Sequence, residues 1–268
     1  MSNLLRESDI MDKLSNAKIC SFIKDKETAN KLILFDETDS TNNQLKKLAL
    51  DGAKDKTVVI ANSQTAGRGR FGKSFFSPEN TGIYLSIFRK LDLDENELSY
   101  VTPAAAVCVA EVLEEATDTQ IGIKWVNDLY YNQKKISGIL TETVSNIETG
   151  SIIGVVIGIG INLNTVFPDD LQSIAGNLPV INNPDLRNLI CGELINSLSK
   201  IEDYIKNKSF IEKYRQKSVL SGKKVFIPAE NDEIYNVCCI DQDCGLVLES
   251  SKGERRVLRN GEVSIKFK

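Results

Sequence analysis

Three cations lie close together in GRGRFGKS (67–74): Arg68, Arg70 and Lys73. The stretch fits both the phosphate-binding pattern G-x-x-x-x-G-K-[ST] and the dinucleotide-binding pattern G-x-G-x-x-G. Both patterns need a helix directly after the glycines, because the free N–H groups of its first turn hold the phosphate. Here FFSPENTG follows, and Pro78 would interrupt such a helix. We therefore predict a cationic loop between two strands that folds over an anionic ligand.

A second group of polar residues lies in KWVND (124–128) and KKISGIL (134–140). A regular strand would place Lys124 and Asp128 on one side and the intervening tryptophan on the other. The second segment begins the partner strand of a hairpin. We expect Lys124 and Lys135 to face the same ligand.

The stretch GIGINLN (158–164) predicts a strand of small residues that ends near Asn162, where backbone can approach a ligand closely. The chain contains no histidine, so its chemistry rests on carboxylates, lysines, arginines or a bound metal. None of its six cysteines forms a C-x-x-C pair, so we expect reduced thiols rather than a zinc site.

The elements that must position these groups follow from hydrophobic periodicity and turn residues. Strands are predicted over 31–38, 56–63, 81–90, as two strands joined by a turn within 121–145, and over 151–164. Helices are predicted over 39–52, 101–118 and 184–217, with short polar helical pieces in the first thirty residues. Hairpin-like joins between consecutive strands favour an α+β fold with a mostly antiparallel sheet over a doubly wound fold.

After Gly222 the pattern changes to five short strands, broken by AEND, QDCG and SKGE. Short strands at even spacing predict a small β-barrel. We therefore expect a main domain over 1–221 and a small C-terminal domain over 222–268.

Composition excludes several classes of protein. With 268 residues, 41% hydrophobic and 26% charged, the chain has the profile of a globular protein. A net charge of −4 argues against a duplex DNA-binding protein, which would carry a basic face. No stretch resembles a signal peptide or a membrane span. We expect a cytoplasmic protein that binds neither DNA nor membrane.

Four segments occur in an order and spacing that resemble the biotin protein ligases: DSTN (39–42), QTAGRGRFGKSFFSP (64–78), KWVNDLYYNQKKISGIL (124–140) and GIGINLN (158–164). The resemblance implies a catalytic domain like the class II aminoacyl-tRNA synthetases and an SH3-like C-terminal domain. Only about 38 residues precede DSTN. We therefore expect the single-function type, without the DNA-binding domain of some family members.

The resemblance implies ATP-dependent ligation of biotin, through biotinyl-5′-AMP, to a lysine of a biotin carboxyl carrier domain of a carboxylase. The reactants would be biotin and ATP, with Mg²⁺ entering alongside ATP and no metal held by protein groups alone. It also allows a homodimer through the central sheet. Two alternatives stay open: an adenylating enzyme like lipoate–protein ligase, and a non-catalytic biotin-binding regulator.

The resemblance also implies roles for individual residues. The catalytic cations would be Arg68, Lys124 and Lys135. Biotin would be bound by Ser40, Thr41, Asn42, Gln64, Arg68, Gly69, Arg70 and Lys135. ATP and the adenylate would be contacted by Arg70, Phe75, Asn127, Asp128, Asn162 and Lys266.

This sequence departs from the family pattern at three positions. Val126 stands where the family usually has proline, and Phe75 where it often has tryptophan. Both changes keep an apolar side chain, so we expect little loss of function. Lys266 stands where the family often has an arginine that reaches ATP, and a lysine keeps the charge but loses the two-pronged geometry.

Overall fold

A computed structural model describes residues 13–179, 183–228 and 233–265. Its larger sheet has seven strands in the spatial order β1-β2-β3-β7-β6-β5-β4. In chain order these are β1 (Leu32–Thr38), β2 (Val58–Gln64), β3 (Gly82–Arg89), β4 (Gly122–Lys124), β5 (Asp128–Tyr131), β6 (Lys134–Ser145) and β7 (Ile152–Asn162). β1 and β2 pair in parallel, and every other neighbouring pair is antiparallel. The predicted α+β class with a mostly antiparallel sheet is confirmed.

Eight helices flank this sheet within the described residues. They are α1 (Asn16–Phe22), α2 (Lys26–Ala29), α3 (Thr41–Leu50), α4 (Glu95–Leu98), α5 (Val101–Thr117), α6 (Leu186–Leu198), α7 (Ile201–Lys206) and α8 (Phe210–Gln216). The alanine-rich helix α5 packs on the sheet, α6, α7 and α8 pack against α5, and α1 packs against α6. None of these helices combines the length and apolar character that crossing a bilayer requires.

The two faces of the central strands have different environments because side chains alternate along a strand. Ile157, Ile159 and Ile161 of β7 belong to the main core with α5. Val156 packs with Leu45 of α3 in a smaller cluster on the opposite face. The remaining residues of that opposite face are small, which leaves room for a cavity beside α3. The strand predicted over 151–164 is present, and its central residues are buried on both faces.

The region 121–145 contains three strands rather than the predicted two. β4 has only three residues, and the chain turns at Trp125–Asn127 before β5 begins. Lys124 and Asp128 are consequently paired across adjacent strands instead of lying on one strand. The predicted turn at Asn132 and Gln133 is present, with φ of 46° and 63°.

A second sheet follows the helices, in the order β11-β10-β9-β8-β12 and antiparallel throughout. Its strands are β8 (Lys224–Phe226), β9 (Ile234–Ile240), β10 (Leu246–Glu249), β11 (Arg255–Leu258) and β12 (Ser264–Ile265). All five predicted C-terminal strands are therefore present. Trp125 Nε1 donates a 2.9 Å hydrogen bond to the carbonyl oxygen of Cys244, which ties the second sheet to the β4–β5 turn.

Candidate functional site

A cavity of about 740 Å³ lies between the large sheet, the start of α3, the loop 67–78 and the second sheet. Every predicted site residue in the described part of the chain lines it: Ser40, Thr41, Asn42, Gln64, Arg68, Gly69, Arg70, Phe75, Lys124, Asn127, Asp128, Lys135 and Asn162. Lys266 lies outside the described residues. The fold thus brings the four motifs together from widely separated parts of the chain.

Glycines form the floor of the cavity. Gly138 of β6 is paired with Gly160 of β7, and Leu140 is paired with Gly158. A Cβ on Gly160 would lie 2.5 Å from the ring of Phe75, and one on Gly158 would collide with the amide of Asn42. Side chains of the loop and of α3 rest directly on this backbone, and the close approach of a ligand predicted for GIGINLN stays a prediction.

The start of α3 is linked to the end of β2. Gln64 Oε1 accepts hydrogen bonds from the backbone N–H of Thr41 at 2.9 Å and from its hydroxyl at 3.2 Å. Gln64 Nε2 in turn donates to Ser77 Oγ at 2.8 Å. Ser40 occupies the N-cap position but makes no capping bond with its side chain. Gln64 therefore satisfies one of the free N–H donors of the first turn of α3.

Asn42 is held on all sides. Its Oδ1 accepts from Ser86 Oγ at 2.6 Å, while its Nδ2 donates to the Leu140 carbonyl at 3.2 Å and to Glu142 at 2.9 Å. Ser86 and Glu142 are missing from the predicted site. They lie 44 and 100 residues from Asn42 in the chain, so no local motif indicates the contact.

At the β4–β5–β6 end of the cavity, one carboxylate lies between two lysines. Lys135 Nζ forms a 2.7 Å ion pair with Asp128 Oδ1. Lys124 is paired with Asp128 across the β4–β5 hairpin, and its Nζ lies 5.9 Å from the centre of the Tyr130 ring. Burial lowers the pKa of Lys124 despite the nearby Asp128, because a buried ammonium loses hydration.

The loop 67–78 forms a short two-stranded stem with a tight tip. Arg68 and Ser74 are paired as an antiparallel bridge, and the chain makes one 3-10 turn over Arg70–Gly72. No helix follows Lys73, which confirms that neither glycine pattern applies. Lys73 instead forms a 2.6 Å ion pair with Glu262 of the C-terminal segment.

Arg70 bridges the tip of the loop to two other parts of the chain. Its guanidinium donates to Asn127 Oδ1 at 3.3 Å and to the Gly261 carbonyl at 3.1 Å. The second sheet and its flanking residues also supply Glu262 and Ser264 to the cavity wall. The residues Phe167, Leu171 and Ile174 form another wall that no motif predicted.

The lining is strongly cationic in a chain that is acidic overall. Five cations line the cavity against two carboxylates, Asp128 and Glu262. Such a surplus favours an anionic ligand. Within the described residues, no group of three or more acidic, cysteine or histidine side chains is arranged to hold a metal ion. A cationic cavity of this size beneath a loop is suited to an anionic small-molecule ligand.

Comparison with known proteins gives the family. A model of the biotin/lipoate A/B protein ligase family matches residues 34–162. A biotin–[acetyl-CoA-carboxylase] ligase of Mycobacterium tuberculosis is 30% identical over 238 residues, which cover 85% of this chain and 86% of that protein. The chain belongs to the biotin/lipoate A/B protein ligase family.

Two further relatives define the extent of the match. The bifunctional ligase/repressor BirA of Bacillus subtilis is 39% identical over 169 residues, or 62% of this chain and 51% of BirA. The alignment thus spans about half the length of that relative. The structure of the biotin protein ligase from Aquifex aeolicus in complex with biotin and ATP superposes with a TM-score of 0.73 at 28% identity, covering 88% of this chain and 98% of that one.

Proposed function

We propose that this protein is an ATP-dependent biotin protein ligase. It would activate biotin as biotinyl-5′-AMP and transfer the biotinyl group to a lysine of a carboxyl carrier domain. One observation carries the proposal: Lys124, Asp128 and Lys135 meet above a glycine floor at one end of a cavity, and Thr41 and Gln64 form a polar network at another.

The first step joins two anions. The carboxylate of biotin attacks the α-phosphorus of ATP, a new phosphorus–oxygen bond forms, and pyrophosphate leaves with the electrons of the broken bond. A carboxylate needs no general base, so the lack of histidine is no obstacle. The two lysines would stabilise the negative charge that accumulates around phosphorus.

The side chain of Lys124 suits this task because it lines the cavity beside Asp128 and would place a cation next to the phosphates. Its charge lies in a buried position, where an opposite charge is attracted more strongly than in water. Asp128 orients Lys135 through their ion pair. Asp128 is also the carboxylate best placed to meet Mg²⁺ carried by ATP, since Mg²⁺ in such sites binds phosphates and one or two carboxylates.

The other end of the cavity suits the ureido ring of biotin. The hydroxyls of Ser40 and Thr41 and the amide of Gln64 line it. The bonds between Thr41 and Gln64 fix both side chains before binding, so little conformational entropy is lost when a ligand arrives. Asn42 lines the same end, but its amide already has protein partners on both sides and would act by holding α3 in place.

The loop 67–78 would cover the intermediate. A mixed anhydride of a carboxylate and a phosphate hydrolyses in water, so the site must exclude solvent until the acceptor arrives. Arg70 and Phe75 lie on the cavity side of this loop. In the second step, the lysine amine of the carrier domain attacks the carboxyl carbon of the anhydride and AMP leaves.

The finer features of the fold support the same function. We infer that the five antiparallel strands after Gly222 form an SH3-like domain beside a catalytic domain of the class II synthetase type, divided near residue 221. The expected protein partner is the carrier domain of an acetyl-CoA or related carboxylase.

Pyrophosphate release tests the first step and separates biotin from lipoate. With Mg-ATP, we expect biotin to give rapid release and lipoate to give little. Lys124→Ala and Lys135→Ala should each lose the reaction while keeping a cooperative thermal unfolding transition. Wild-type rates in either folded variant would remove that lysine from the mechanism. Faster release with lipoate would instead favour a lipoate ligase, and biotin binding without turnover would favour a regulator.

A further inference from the structure

Glu142 of β6 connects three parts of the cavity wall. Its carboxylate accepts from Arg68 of the loop stem at 3.0 Å, from Lys46 of α3 at 2.8 Å and from the amide of Asn42 at 2.9 Å. The side chain is only 17% exposed. A half-buried carboxylate with three donors is held in position, because movement would break charge-assisted bonds.

The position of Glu142 in β6 shows which parts of the molecule this contact connects. Gly138, Leu140 and Glu142 lie on the cavity face of β6, since alternate residues share a face. Glu142 is therefore the residue directly beyond the cavity floor, at the end nearest α3. Arg68 belongs to the stem of the loop, where it pairs with Ser74. The Arg68–Glu142 pair thus attaches the stem to the sheet by an ion pair, in addition to the Phe75 ring that rests on Gly160.

The two cations that bind the Glu142 carboxylate connect it to different elements. Lys46 joins the carboxylate to the outer face of α3, and Arg68 joins it to the loop. Arg68 also donates to Asn43 Oδ1 at 3.0 Å, so the guanidinium spans the gap between sheet and helix. Burial raises the pKa of Glu142, but the bonds from Lys46 and Asn42 outweigh it and lower the pKa overall, so the carboxylate is ionised at neutral pH.

We propose that Glu142 is a positioning residue that anchors the stem of the loop 67–78 and the start of α3 at the biotin-binding end of the cavity. It acts through Arg68 and Asn42 and does not touch the ligand. This inference rests on the proposed ligase function only for its effect on biotin. The attachment of the loop can be measured without any ligand.

Glu142→Gln tests the proposal, because the amide keeps the shape and an acceptor for Asn42 but loses the charge that holds Arg68. When the competent loop conformation is less populated, apparent affinity falls by the same factor. Loss of one charge-assisted bond corresponds to about tenfold. We expect the KM for biotin to rise about tenfold, with kcat at saturating biotin changed less than about twofold. The matched control is Lys46→Met, which leaves the Arg68 contact intact and should change KM little.

Trypsin provides the readout that does not depend on activity, since it cleaves after Arg68, Arg70 and Lys73. Without ligand, Glu142→Gln should be cut in the loop several-fold faster than wild type, and Lys46→Met at the wild-type rate. If Glu142→Gln lacks a cooperative unfolding transition, Glu142→Asp replaces it. That variant keeps the charge on a shorter side chain, and its loop should be cut at a rate above wild type.

Equal cleavage rates in Glu142→Gln and wild type would overturn the proposal, and so would a Lys46→Met variant that is cut as fast as Glu142→Gln. If wild type releases no pyrophosphate with biotin, the ligase function fails. The cleavage rates would then still decide whether Glu142 anchors the loop.

Discussion

At the scale of single residues, Lys124 is a lysine whose surroundings disfavour its positive charge while no ligand is bound. Lys124 is partly enclosed, and burial lowers its pKa. The neighbouring carboxylate of Asp128 already pairs with Lys135. Burial therefore opposes the charge on Lys124 in the free protein, and a bound anion would offset that effect.

Lys124→Met should remove the destabilising effect of the half-buried ammonium, and it should also remove the activity. We expect the melting temperature to rise by about 2–4 °C, as for about 1 kcal/mol in a domain of this size. Pyrophosphate release with biotin and Mg-ATP should be lost. A variant that melts below wild type, or one that keeps its rate, would contradict this account of Lys124.

The pH dependence of this difference has a definite sign. The folded pKa of Lys124 is lower than that of a lysine in the unfolded chain. Between the two values the unfolded state binds more protons, so the stability of wild type rises with pH. The difference in free energy of unfolding between Lys124→Met and wild type should therefore shrink as pH increases. The decrease should run from the folded pKa of Lys124 towards about 10.4, the pKa of a free lysine.

At the scale of elements, the loop 67–78 has a fixed stem and a tip that contacts other parts of the chain. Arg70 at the tip reaches Asn127 and the Gly261 carbonyl. It lines the cavity, where we expect it to meet the adenylate. Retention of the intermediate and its formation should thus depend on different residues.

Arg70→Gly should form biotinyl-AMP but release it. We expect pyrophosphate release to continue, while the intermediate appears in a filtrate that contains no protein. Wild type under the same conditions should retain it. Unchanged retention by the variant would show that Arg70 does not hold the loop over the adenylate.

Local patterns were sufficient to predict most of these elements. The strand 31–38, the helix 101–118 and the five C-terminal strands follow from periodicity and turn residues. The three-residue strand β4 escaped prediction, since a segment that short carries no period. The partners Ser86 and Glu142 also escaped prediction, because only the tertiary fold brings them to Asn42.

At the scale of the whole molecule, the second sheet takes part in the cavity. Gly261, Glu262 and Ser264 line it. Tyr100, just before α5, donates a 2.9 Å hydrogen bond to Asp243 in the β9–β10 turn. These contacts join the small sheet to the part of the chain that carries the lysines.

Tyr100→Phe isolates one of those contacts. We expect the free energy of unfolding to fall by about 1 kcal/mol at neutral pH, since one hydrogen bond is lost without a change in packing. Burial and the adjacent Asp243 raise the pKa of Tyr100 to about 12. The stabilisation is present below pH 10 and is lost as pH rises towards 12, so the two proteins should converge there. Denaturant titrations at both pH values measure this, and equal stability at neutral pH would show that the bond contributes nothing.

The central claim is that this cavity activates biotin for transfer to a protein lysine. The most direct measurement is mass spectrometry of a biotin carboxyl carrier domain incubated with this protein, biotin and Mg-ATP. We predict one added biotinyl group on a single lysine, absent without ATP and absent with Lys135→Ala. If biotinyl-AMP forms but the carrier domain stays unmodified, the transfer step is contradicted. If no biotinyl-AMP forms at all, the account as a whole is contradicted.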